Sequence, residues 1–115
     1  MNYAGQRTLV AVWCCTFAAL AWGADAARIW TFEEDAVDAP PRGFIFEHTN
    51  GPPGRWIVRH RDDAPSGGRV LAQVDTDATR GRFLLAIASA PTVSDVAVSV
   101  KCKPTAGTVD QACGV

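Results

Sequence analysis

The sequence predicts an all-β sandwich, and three observations carry the prediction. Short apolar runs recur at spacings of roughly 8–15 residues, each bounded by Gly, Pro, Asn, Asp or Ser. Helical periodicity is absent after residue 26. The stretch 95–102 alternates throughout: Val96, Val98, Val100 and Cys102 share one strand face, with Ala97, Ser99 and Lys101 on the other. At 115 residues the chain is one domain at most, and 48% apolar residues with nearly balanced charge exclude a disordered chain.

The elements follow in order. Residues 29–32 form the first run, and Pro40, Pro41 and Gly43 punctuate before Phe44, Ile45 and Phe46. Asn50-Gly51-Pro52-Pro53-Gly54 is a strong breaker. Residues 56–60 then alternate as a half-buried strand does. Pro65, Gly67 and Gly68 break again before the run 70–74. Residues 82–88 make the fifth run, 95–102 the sixth, and a last one starts at Ala112.

The first 26 residues read differently. Eighteen of them are apolar, against 37 of the 89 that follow. One arginine precedes fifteen uncharged residues, Thr8 to Trp22, and Ala24-Asp25-Ala26 supplies small residues where a signal peptidase reads. A membrane span needs about 20 apolar residues, so the expectation is a signal-peptide helix over 1–26 and a mature domain over 27–115. The product is secreted or periplasmic, with no membrane span after cleavage. Cys14 and Cys15 leave with the signal, and the remaining pair, Cys102 and Cys113, is a disulfide candidate in an oxidising compartment. Two paired strands would bring them within reach, and the alternative is two separate thiols on different faces.

A net charge of -1 argues against a nucleic-acid partner, which demands a basic excess. The candidate chemistry is thin. His60-Arg61-Asp62 matches three letters of a kinase catalytic loop, but no glycine-rich loop or strand lysine precedes it. His48 and His60 have no partner in sequence that would make a metal site. Glu33-Glu34-Asp35 reads as a solvated charge run rather than a carboxylate cluster. Asp75-Thr76-Asp77 offers oxygens to calcium but lacks the glycine turn and distal glutamate of a dedicated loop, so no cofactor or metal is expected. No acid pair of glycosidase type is present, and no catalytic residue is assigned. Trp30 and Trp56 read as core residues, the alternative being stacking against a sugar ring. Arg55, Arg59 and Arg61 read as a solvated outer row.

Gly107-Thr108-Val109-Asp110-Gln111-Ala112-Cys113-Gly114, preceded by the alternating run from Asp95, resembles a family of secreted bacterial proteins. These carry a concanavalin A-like (laminin-G-like) jelly-roll and are grouped with 3-keto-disaccharide hydrolases and glycoside-hydrolase-16-like proteins. Trp30-Thr31-Phe32-Glu33, Pro41-Arg42-Gly43-Phe44, Arg55-Trp56-Ile57-Val58 and Val70-Leu71-Ala72-Gln73 look like that family's opening strands in the same order. The resemblance implies a jelly-roll β-sandwich whose concave face or loop rim binds glycans. It carries over no catalytic residue, because no position here matches one. Cysteines stand together at two positions where the family commonly has other residues, which favours the Cys102–Cys113 bridge.

The leading functional expectation is an exported, non-catalytic module with a polysaccharide or glycan partner. The alternatives are a sugar-acting hydrolase or lyase whose catalytic residues lie beyond residue 115, and a structural envelope domain presenting Arg59 and Arg61 to a partner. The binding residues are unknown at this level. The resemblance also implies that 27–115 is the N-terminal portion of a longer, truncated sandwich.

Overall fold

The computed structural model describes residues 27–109 and 112–115; the expected signal peptide lies outside the described residues. Four strands of five residues each form: β1 (Phe44–His48), β2 (Trp56–His60), β3 (Arg69–Gln73) and β4 (Leu84–Ala88). They pair as two antiparallel two-stranded sheets, β1 with β4 and β2 with β3. The described part is thus all-β. Four strands do not define a jelly-roll, which takes eight.

β2 and β3 are a hairpin whose pairing continues past the strands through Val74 N–H to Arg55 C=O and Arg61 N–H to Gly68 C=O, each 2.8 Å. In that register Val58 turns its peptide groups outward, where Asp38 N–H donates to its carbonyl and Ala39 C=O accepts from its N–H. The segment around Val37 thereby runs parallel along the outer edge of β2. Ile57 and Val58 are the buried apolar core among the described residues, at 3% and 0% exposure.

β1 and β4 lie far apart in sequence, and the β2–β3 hairpin fills the chain between them. Their ladder continues through Thr49 N–H to Phe83 C=O and Ser89 N–H to Gly43 C=O. The two sheets meet where the Phe46 and Trp56 rings stack, centroids 6.2 Å apart and planes 16° from parallel. Nearby, a Cβ on Gly54 would come within 2.6 Å of the Leu84 side-chain methyls, so a side chain there would require Leu84 to shift. Phe44, Phe46, Leu84, Ala86 and Ala88 form the half-buried inner face.

Three expected strands are not strands here. Residues 29–32 stay irregular because Phe32 adopts φ 63°, a left-handed conformation costly for an aromatic residue, and its carbonyl accepts from Asp35 N–H in a turn. Residues 95–102 have the alternation but no ladder partner among the described residues, leaving Val96, Val98 and Val100 exposed. No strand forms from Ala112 on. β3 begins one residue earlier than expected, and the 82–88 run becomes a strand only from Leu84, because Arg82 is held elsewhere.

Candidate functional site

The chain before β1 turns at Phe32 and packs its aromatics on Phe44. The Phe32 and Phe44 centroids are 5.8 Å apart, and Trp30 meets Phe44 edge-on at 5.9 Å and 64°. The Arg28 guanidinium sits 5.2 Å above the Trp30 ring, a cation–π contact. Trp30 is therefore not the core residue expected: it remains 38% exposed. The ring borders an open depression lined also by Thr31, Phe32, Glu34 and Arg42. Trp56, in contrast, is half-buried against Phe46, with its Nε1 buried and without a hydrogen-bond partner.

The acidic run 33–35 is not simply solvated. The Glu33 carboxylate accepts from two successive backbone N–H groups, Gly68 and Arg69, each at 2.9 Å. These two bonds hold its pKa below the ordinary value. Arg69 reciprocates by donating to the carbonyls of Glu33 at 2.6 Å and Asp35 at 2.7 Å. Asp35 accepts from the backbone N–H and then the guanidinium of Arg42, which lowers its pKa as well. Glu34 stays open to solvent, 4.0 Å from Arg42. The run ties the leading segment to the β2–β3 turn, where Gly67 has φ 65° and a side chain would collide with Glu33.

Asp75 and Asp77 face an internal cation. The Arg82 side chain is only 4% exposed and lies 2.5 Å from Asp75 and 3.7 Å from Asp77. It also donates to the carbonyls of Pro52 at 2.7 Å and Pro53 at 3.1 Å. Asp77 accepts from Thr79, which with Arg82 keeps its pKa low. No group of three potential metal ligands occurs among the described residues.

His60, Arg61, Asp62 and Asp63 line a second open depression at the end of β2. Arg61 donates to both oxygens of Asp63, and Lys103 Nζ lies 2.6 Å from the same carboxylate. The two cations hold Asp63 well below the usual carboxylate range. His60 faces Asp62 at 3.8 Å, and Arg59 faces Asp38 at the same distance. The outward arginine row is thus largely matched by nearby acids. His48 sits half-buried on β1, apart from this cluster.

Cys102 and Cys113 are bridged, with Cα atoms 6.4 Å apart. The described residues between them are exposed and form no strand, so among these the bridge does not join the strand pair expected. Arg69, Arg82 and the Asp63–Lys103 pair were invisible to sequence reasoning. The available signal is an arginine directly before an apolar run, at Arg69 and at Arg82. No family model, curated protein or solved structure matches the chain.

Proposed function

We propose that this chain is an exported binding module that recognises a glycan at the Trp30 depression. The observation that supports the reading is Trp30 itself: a half-open indole held at a fixed angle by Phe44 and Arg28. A sugar ring offers an apolar C–H face to such a platform, while Glu34 and Arg42 at the rim offer an acceptor and a donor to hydroxyls. The opposed charges of Arg28, Arg42 and Arg69 and of Glu33, Glu34 and Asp35 leave this locale neutral, which suits an uncharged polysaccharide. The jelly-roll architecture and the secreted location belong to the same proposal; the first rests on the family resemblance and the second on the pattern of residues 1–26.

A glycan array probed with the purified chain, with and without calcium, tests it. Binding to neutral polysaccharide that weakens about ten-fold in Trp30→Ala is the expected result. Absence of binding to every glycan, or binding indifferent to Trp30→Ala, overturns it.

A further inference from the structure

The open edge of β4 and the unpaired run 95–102 are complementary. The bonds Ser89 to Gly43 and Thr49 to Phe83 set the β1–β4 register, in which residues 83, 85, 87 and 89 turn their peptide groups toward β1. Leu84, Ala86 and Ala88 therefore turn theirs outward, where no backbone group meets them among the described residues. Their side chains lie on the half-buried inner face. Val96, Val98 and Val100 alternate with the same period and are 67%, 57% and 52% exposed. Seven residues, 89–95, separate Ala88 from Val96, longer than the commonest hairpin loops of about two to five residues but well short of the uncommon lengths above about 12.

We infer that residues 96–100 are a latent fifth strand that adds antiparallel to β4 of the same chain. The pairing sets Val96 opposite Ala88, Val98 opposite Ala86 and Val100 opposite Leu84. That register places the three valines beside two alanines on the inner face and turns Ala97, Ser99 and Lys101 outward. It satisfies the outward peptide groups of β4, which otherwise form an exposed edge. What opposes it is the ordering of the segment, together with the tether that holds its far end. Lys103 is bound to Asp63 beside the β2–β3 turn, and Arg61 fixes Asp63 in place. Burial of three valines and ordering of five residues are opposing quantities of similar size. Under that balance an exposed ion pair of ordinary strength shifts the populations by up to ~5-fold.

Hydrogen exchange on the oxidised chain reads this directly. Asp63→Ala and, separately, Lys103→Met are expected to slow exchange of the Val96, Val98, Val100, Leu84, Ala86 and Ala88 amides by up to ~5-fold. Protection at Ile57 and Val58 should stay constant, which shows that each variant remains folded. Adding Val98→Pro to Asp63→Ala should abolish the gain at all the paired amides, since proline leaves Ala86 C=O without its donor and its ring cannot sit in the middle of a paired strand. Unchanged or faster exchange at these six amides in both variants overturns the inference. So does protection that grows with protein concentration, because the strand would then come from a second copy.

Discussion

The two sheets have equal strand number and strand length, yet among the described residues one has an edge covered by backbone and the other has none. In β2–β3 the outer edge of β2 is covered by residues 37–39, and the outward amide of Arg69 on β3 is capped by Glu33. Both faces of β2 bury a residue, Ile57 on one and Val58 on the other. In β1–β4 neither outer edge has a backbone partner among the described residues. Its outer face shows Ile45, Leu85 and Ile87 at 52%, 41% and 45% exposure. The difference follows from connectivity. The β2–β3 pair is local, and the segment just before β1 folds over it, whereas β1 and β4 close the ends of a long excursion. A contiguous apolar face on an open sheet promotes association.

The largest expected effect probes that contrast in packing. Val58→Ala removes two methyl groups from a fully buried site and should cost about 2 kcal/mol, whereas Ile45→Ala on the open face should cost less than about 0.5 kcal/mol. Urea unfolding of the two variants measures both, and equal losses would erase the distinction between the sheets.

A smaller effect sharpens the account of the capped edge. The folded-state pKa values of Glu33 and Asp35 lie below their ordinary 4.5 and 3.8. Their stabilisation is therefore complete above those values and fades as pH falls through the lower folded values. The thermal midpoint should drop between about pH 5 and about pH 3, and Glu33→Gln should flatten that drop. A Glu33→Gln profile identical to the parent would remove the carboxylate cap from the explanation.

The smallest effect concerns the bridge. A disulfide commonly stabilises by about 2–4 kcal/mol when it constrains a folded segment. Here the described residues of the loop it closes are exposed and form no strand, so Cys102→Ser with Cys113→Ser should shift unfolding by less than about 1 kcal/mol. Non-reducing peptide mapping should first show the Cys102–Cys113 cross-link. A loss above about 2 kcal/mol would mean that the loop is part of the cooperative unit.

The local part of this fold was legible in the sequence. Residues 56–60 were expected as a strand and are β2, because alternation and the flanking Pro and Gly both mark it. β1 and β3 fall within two residues of their expected bounds for the same reason. The clearest alternation of all, at 95–102, forms no strand, since period two says which side chains share a face and nothing about a neighbouring chain. The candidate site was less legible. Trp30 beside Ile29 and Phe32 looks like core, yet the chain takes a left-handed turn at Phe32 and the indole stays half open. Glu33 reaches amides 35 and 36 residues away, a contact no local pattern encodes. The cation opposite Asp75 and Asp77 was likewise hidden, because it belongs to a run otherwise apolar.

The buried Arg82 guanidinium binds two loops at once, the one between β1 and β2 through Pro52 and Pro53, the other between β3 and β4 through Asp75. Such a fork makes the two loops a single unit of heredity. A change in length or backbone path in either one strands donors that the other cannot take up, so tolerated variants should arrive in pairs. Lysine in that position has one ammonium and no fork, and would serve one loop at the expense of the other.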